Sequence, residues 1–588
     1  MIELYGCRAI QLTALDTSRT LVTTLAGRER VIIDAGAAAL ASRCTQFATL
    51  DDHAAAAGGE RDATMQVLRD LADGGLLVSK QAFLDAIRDV LPDSEPSSPM
   101  RTIGIPTCDR AVALELAVDG YLANASKYGH VARAIVCDDG DPASARRTRD
   151  VLTKLARRHD REIRHAGPAE KRAFLGRLER VTQIERSVLE HALFGLPNAG
   201  PTFGGNRNAL YLAAGERYFS ADDDTVAEIT VPCDREAGVE LSAAHDPTWV
   251  RLHRSGIGER AQLDLLALHD RVLGRRVADV LPASSTDVTF EGDRALMSLL
   301  EHGDARIRAS WMGIAGEAGV RFAAYYLYRP QTDRSAIATD DDYRRHCRQR
   351  LVLRAPRRMI IGTGAYCQAT AVALDGSTLL PPWIPTERGE DVVFGAVMRS
   401  ISPRSLTAYH PCAVTHAPLE RAATLVGDLV MQPGHHVAYY MLVLVALAGF
   451  APPPDAFDDA RRLEALGRHF RALGATSPGE LAELLRDGHD SMIGSHVREL
   501  EHHLLQDTDG LPQLYRDELR TLIELTITQL ESEQIVAKDF VNGRSEAEAF
   551  AAMQRQLAAY GEICLAWPTM VVAARALTAD DAGLGTRV

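Results

Sequence analysis

Arg101-Thr102-Ile103-Gly104-Ile105, closed by Pro106 and followed by Thr107-Cys108-Asp109-Arg110, is the stretch on which the fold turns. A short run with β-branched residues ahead of a proline reads as a strand. Helical spacing follows over Ala111 to Ala123. A second strand, Ala132 to Cys137, ends in Asp138-Asp139-Gly140-Asp141. A second helix is expected over Ala143 to His159 and a third strand over Glu162 to His165. This β-α-β-α-β order predicts a parallel sheet with crossover helices, hence an α/β fold. Ligands of such sheets bind outside the carboxyl ends of the strands. Thr107, Asp109, Arg110, Asp138 and Asp139 are therefore candidate binding residues, and acidic groups there suit ribose hydroxyls and base N–H groups. No Gly-x-Gly-x-x-Gly follows the first strand and no Gly-x-x-x-x-Gly-Lys-Ser/Thr occurs, which disfavours dinucleotide and P-loop sites.

Further on, the apolar run Tyr218-Phe219-Ser220-Ala221 ends in Asp222-Asp223-Asp224. Three adjacent carboxylates repel one another unless a cation sits among them. Hard divalent cations take oxygen ligands, and Mg²⁺ typically uses one or two carboxylates plus substrate phosphates. Taken alone, the run reads as a solvated acidic turn. Its company changes that reading. Gly204-Gly205-Asn206-Arg207-Asn208 precedes it, and Pro381-Pro382-Trp383 leads into Arg388-Gly389-Glu390-Asp391. Tyr409-His410-Pro411 and His416-Ala417-Pro418 come last.

Set in this order, the motifs resemble the nucleotide-diphospho-sugar glycosyltransferases of the GT-A fold, inverting and family-two-like. Pro106, Thr107 and Arg110 match that family's opening Pro-Thr-x-x-Arg. Asp138 and Asp139 match its second strand end, and Arg207 and Asn208 the pair before its Asp-x-Asp. Glu390 and Asp391 match the Glu-Asp that opens a later helix, and His416 the histidine that completes the metal site. The resemblance covers about residues 101–418. It implies a Rossmann-like mixed sheet flanked by helices and a hexosyltransferase-like enzyme using a UDP- or GDP-linked sugar. Mn²⁺ or Mg²⁺ would be held by Asp224, Asp222 and His416, and nucleotide-sugar contacts would come from Pro106, Thr107, Asp109, Arg110, Asp138, Asp139, Arg207, Asn208, Asp222 and Asp223. Of the three aspartates, Asp223 is expected to matter least. Asp391 is the first choice of general base and Glu390 the second, since a carboxylate beside another carboxylate and an aromatic ring has a raised pKa. Trp383 offers a flat face for an acceptor, and Arg388 a cation for a phosphate. A nucleotidyltransferase on a similar fold, or a non-catalytic recognition protein on a degenerate scaffold, are the alternatives.

Around this part lie two others. Residues 1–95 hold short strands at Ala9 to Leu12, Thr20 to Thr23 and Arg30 to Ile33. Helical runs follow at Ala35 to Cys44, Asp51 to Ala57 and Met65 to Leu71, with Leu76-Leu77-Val78 beyond Gly74-Gly75. This order resembles the PqqD-type winged module, which implies a peptide added as a strand to the sheet edge and a peptide acceptor. A Pro- and Ser-rich linker, Leu91 to Pro99, separates it from a domain at 96–430. An insertion is expected over 237–354, because the interval from Asp224 to Glu390 exceeds what a minimal domain of this type needs. Within it, the glycine-rich Ser310 to Gly319 reads as a loop or the start of a helix, and Leu374-Asp375-Gly376-Ser377 as a hairpin turn. Residues 431–588 read as a helical domain, with helices over Arg461 to Leu473, Pro478 to Arg486, Leu514 to Glu533 and Ser545 to Tyr560, and a last one after Trp567-Pro568.

The bulk numbers fit three or four domains in 588 residues, 46% hydrophobic and 24% charged. A net charge of -14 disfavours a nucleic-acid partner. Nine scattered cysteines without Cys-x-x-Cys spacing, and no signal peptide, suit a reducing, cytoplasmic setting, and the Arg- and Ala-rich composition a bacterial source. The longest apolar run, Val437 to Ala451, is shorter than the ~20 residues of a membrane span, so no transmembrane segment is expected. A homo-oligomer is left open.

Overall fold

The computed structural model describes residues 3–588 except 28, 90–98, 197–199, 253, 255, 320–326, 365–368, 419–437, 507, 532–534 and 542. The expected linker falls almost wholly outside the described residues, as does Val437.

A mixed sheet with helices on both faces dominates. Its spine runs in the order Val288–Glu291, Val239–Ser242, Met359–Gly362, Ser405–His416, Arg306–Glu317, Ala371–Asp375, Arg217–Ala221, Thr102–Thr107, Arg133–Asp138, Ile163–Ala166 and Thr586–Arg587. Thr102–Thr107 pairs in parallel with both Arg133–Asp138 and Arg217–Ala221. The chain steps outward from it first on one side and later on the other. This reversal of strand order creates a crevice at the carboxyl ends, where α/β sheets bind ligands. Thr102–Thr107 is covered on both faces and is nearly continuously buried, which is why it is apolar without alternation.

The helices follow their capping chemistry. Asp141 caps Pro142–His159 by accepting from the N–H groups of Ala143 and Ser144, with proline in the first turn and Arg157, Arg158 and His159 in the last. Together with Ala111–Lys127 this helix covers one face, where Leu114, Val118, Leu152 and Phe219 share a core. The opposite face carries Pro168–Thr182, Arg186–Phe194, Phe203–Ala214 and Glu390–Ile401. Their core is continuous with that of the C-terminal helices: Leu193, Leu210, Phe394, Phe470, Tyr560 and Trp567 belong to one buried cluster.

Several expectations are corrected here. Ser310 to Gly319 is no loop: Arg306–Glu317 is a central strand. Its glycines admit neighbouring backbones, since a Cβ at Gly313 would lie 2.0 Å from Arg354 O and one at Gly316 2.4 Å from His416 O. Residues 237–354, expected as an insertion, supply strands to the same sheet. Asp375 makes an Asx turn, accepting from Ser377 N at 3.1 Å, but no hairpin partner follows. Pro478–Gln506 runs twenty residues beyond Arg486. Trp567-Pro568 starts no new helix, because Glu546–Ala579 continues through Pro568. The ring forfeits one backbone hydrogen bond, and burial of Tyr560, Ile563, Cys564, Trp567 and Met570 on the inner face outweighs it. By length and composition Glu546–Ala579 could cross a membrane, yet that face is packed into the protein core.

In the N-terminal part, Ile10–Ala14, Arg19–Thr24 and Arg30–Asp34 form an antiparallel meander. A strand not anticipated, Tyr5–Cys7, pairs with Leu77–Ser79. A fourth helix, Lys80–Arg88, sets Phe83, Leu84 and Ile87 against Val239, Val288 and Phe290 of the large sheet.

Candidate active site

The turn Asp222-Asp223-Asp224 closes the strand Arg217–Ala221 and opens Thr225–Pro232. Asp222 N donates to Thr370 O at 3.0 Å and Thr225 N to Asp222 O at 3.2 Å, so the carboxylates are held on a tight corner beside the end of Thr102–Thr107. There Thr107 Oγ1 donates to Asp223 Oδ2 at 2.6 Å. Arg110, at the start of Ala111–Lys127, bridges Asp223 Oδ1 at 2.7 Å and Asp224 Oδ2 at 2.9 Å. Asp223 is thus turned inward, and burial pushes its pKa up to about 6. It ties two strand ends together, a role its position in the run did not reveal.

His416 ends the long strand Ser405–His416. Antiparallel pairing sets it opposite Thr225, which brings Nε2 to 3.4 Å from Asp224 Oδ1. Its Nδ1 donates to the carbonyl of Glu317 at 2.6 Å. With that proton committed, a neutral imidazole turns a lone pair toward a carboxylate, so a proton or a cation must sit between them. Burial works against the charged ring, and the Asp224 bond and charge outweigh it and raise its pKa. A metal-bound histidine likewise donates its second ring N–H to a carbonyl or carboxylate.

Across the crevice, Arg207 leaves the helix Phe203–Ala214 and spans two carboxylates. Its Nη2 donates to Asp222 Oδ1 at 2.6 Å and its Nε to Glu390 Oε1 at 3.4 Å. Glu390 and Asp391 open the helix Glu390–Ile401 behind Gly389, whose φ of 86° is left-handed. Burial, then the charge of Asp391, raises Glu390 to about 7. Asp391 is raised as well, by burial first, against the pull of Arg207. Five carboxyl groups therefore face two guanidiniums and one imidazole. Burial first, and this surplus of negative charge after it, make Asp223, Glu390 and Asp391 hold their protons more tightly than usual.

Other expected residues have different surroundings. Asn208 is fully buried: its Nδ2 donates to Ala192 O and Trp383 O, both at 3.0 Å, and its Oδ1 accepts from Trp383 N at 2.8 Å. It clamps the chain before the site and has no amide atom to offer a ligand. Trp383 is 2% exposed, with Phe394 stacked 3.9 Å away on one side and the Arg207 guanidinium 5.4 Å from its ring. No open acceptor platform remains there. Arg388 lies over the Phe203 ring at 5.2 Å and is exposed. Asp138 is buried, accepting from Gly140 N at 2.7 Å and facing His165 Nε2 at 3.3 Å. Asp139 is held by Thr202 Oγ1 at 2.6 Å and by the fully buried Lys171. Asp109 lies exposed at the strand end with a φ of 56°, beside the half-buried Pro106.

Lys171, Thr202, Asn206 and Glu317 were not anticipated. Asn206 Nδ2 donates to carbonyls at the ends of two adjacent strands, Thr107 O at 3.1 Å and Cys137 O at 2.8 Å. Only Asn206 carried a signal, lying in the same run as Arg207. Among the described residues, no group of three or more His, Cys, Asp and Glu side chains converges as a ready-made metal site. Asp224 and His416 nonetheless offer one oxygen and one nitrogen side by side, a set that Mn²⁺ or Mg²⁺ could use with phosphate oxygens completing it.

No protein-family model and no curated protein sequence matches the chain. Among solved structures, the mannosyltransferase PcManGT from Pyrobaculum calidifontis in complex with GDP-Man and Mn²⁺ matches at 11% identity, over 83% of this chain and 99% of that one, with a TM-score of 0.26. A likeness so loose assigns neither a fold family nor an activity.

Proposed function

We propose that the chain is a metal-dependent, inverting glycosyltransferase of GT-A type, moving a sugar from a nucleotide-diphosphate donor to an acceptor hydroxyl. One observation carries this reading. A surplus of carboxyl groups, with a histidine among them, is gathered at the point where strand order reverses. Asp224 and His416 would hold a divalent cation, with Asp222 able to join them if Arg207 releases it. That cation would supply charge stabilisation to the departing diphosphate. Asp222 is 28% and Arg110 34% exposed at the side chain, so both can meet a ligand from solvent. Arg110 is the cation best set to steady a phosphate. Asp391 is less buried than Glu390 and would take the acceptor's proton. Arg207, bonded on both sides, would keep the base at a set distance from the aspartates.

Thermal shift against a panel of nucleoside diphosphates and their sugars, with and without Mn²⁺, is the first test. A stabilising ligand is expected only when metal is present, because a ligand at 100 times its dissociation constant adds about 2.7 kcal/mol. Donor hydrolysis or transfer should then fall at least ~100-fold in Asp224→Ala and in Asp391→Asn. Full activity in both variants would refute the assignment of the site. Binding without turnover on any acceptor would favour the recognition protein.

A further inference from the structure

The outer edge of the N-terminal meander is self-complementary. Arg30–Asp34 pairs with Arg19–Thr24 on one side only, and among the described residues no strand covers the other. Thr24 N donates to Glu29 O, and Ala35 N to Ser18 O, both toward the inner neighbour. Backbone groups of an antiparallel strand alternate in direction. Those of Val31 and Ile33 therefore also point inward, and those of Arg30, Ile32 and Asp34 point to the open edge. Side chains alternate as well, so Arg30, Ile32 and Asp34 share one face. Val31 and Ile32 are 43% and 55% exposed.

Natural edges are usually blunted by charge, proline or a bulge. This one carries a basic residue at one end, an acidic one at the other and Ile32 midway. Laid antiparallel on a second copy, the strand brings Ile32 opposite Ile32 of that copy, Arg30 opposite Asp34, and Val31 opposite Ile33. Every pair is matched in charge or apolarity, and the open-edge N–H and C=O groups fall into hydrogen-bonded positions. Asp34 caps the helix Ala35–Arg43 through Oδ1 alone, which leaves Oδ2 for the arginine. We infer that this edge is the interface of a two-fold dimer, with the axis passing beside Ile32, in which the two meanders join into one six-stranded sheet. A two-fold interface needs the same patch to complement itself, and the sequence Arg-Val-Ile-Ile-Asp does so in one register.

Sedimentation of the full chain between about 1 and 100 μM tests the proposal. The protein should move toward twice the 63.9 kDa chain mass as concentration rises. Ile32→Pro removes only an outward-facing N–H, which an edge strand tolerates, and should return it to the single-chain mass with unchanged circular dichroism. Arg30→Glu should do the same by placing like charges together. The register is checked separately. Opposed hydrogen-bonded residues have Cα atoms about 5.5 Å apart, within disulfide reach. In a background with the exposed Cys108 and Cys233 changed to serine, Ile32→Cys should therefore cross-link to itself under diamide, whereas Val31→Cys and the background chain should not. A chain that stays at single mass throughout, or an Ile32→Pro variant that still dimerises, overturns the proposal. The first outcome would leave the edge to an extended peptide.

Discussion

Glu390 has little water around it, a negative neighbour in Asp391 and an arginine only loosely bonded at 3.4 Å. Its ordinary value near 4.5 is raised to about 7, so the folded chain holds this proton more tightly than the unfolded chain does. The associated stability is complete below pH 4.5 and is lost as pH rises toward 7. Glu390→Gln imitates the protonated form. The difference in melting temperature between this variant and the native protein should move in the variant's favour from pH 5 to pH 8, and a flat difference would contradict the burial. Activity should run the other way. The proposed base must be ionised, so kcat/KM should climb through an apparent pKa above the ordinary carboxylate range, one that belongs to the Glu390–Asp391 pair jointly. Glu390→Gln should shift that midpoint downward, because one like charge is gone.

At the scale of elements, the segment from Leu380 to Glu387 is the unexpected part of the site. It has no regular secondary structure, yet two helices grip it. Tyr211 and Asn208 reach it from Phe203–Ala214. Trp567 Nε1 donates to Leu380 O at 2.8 Å, and Tyr560 OH to Pro382 O at 2.9 Å, from Glu546–Ala579. Trp567→Phe should cost about 1–3 kcal/mol by leaving a buried carbonyl unpaired, and should lower kcat more than KM by loosening the base. Gly204→Ala should do greater damage, since its Cβ would stand 1.7 Å from Ile384 O; melting and turnover together check both. These examples show what the sequence made legible. Asp222 to Asp224, Arg207, Glu390, Asp391 and His416, each singled out from a short motif with a chemical reason for its residue types, are brought together by the fold. The burial of Asn208 and Trp383 could not be read from either motif, because the two bond to each other across a long stretch of chain. The strand Arg306–Glu317 was hidden because glycine signals a loop locally, while here it admits a neighbouring strand. Lys171 and Glu317 gave no local sign at all.

On the scale of the whole molecule, the C-terminal helices and the sheet share one buried cluster, and the last residues, Thr586–Arg587, pair with Ile163–Ala166 at the edge of the sheet. A chain ended at residue 545 would expose Leu193, Leu210 and Phe394 and should fail to fold cooperatively, judged by circular dichroism and loss of a sharp melting transition. Removing residues 1–98 uncovers a smaller surface around Val239, Val288 and Phe290. That variant should stay folded with a lower melting temperature. The grip on Leu380 to Glu387 has one more consequence, in the time domain. The amide protons of Leu380, Trp383 and Glu387 are bonded to Tyr211 OH, Asn208 Oδ1 and Pro201 O, partners on or just before the helix Phe203–Ala214 that let go only when the segment parts from that helix. In deuterium exchange this irregular stretch should be as slow as the central strands, so it would report global opening of the protein rather than the local motion usual for a loop.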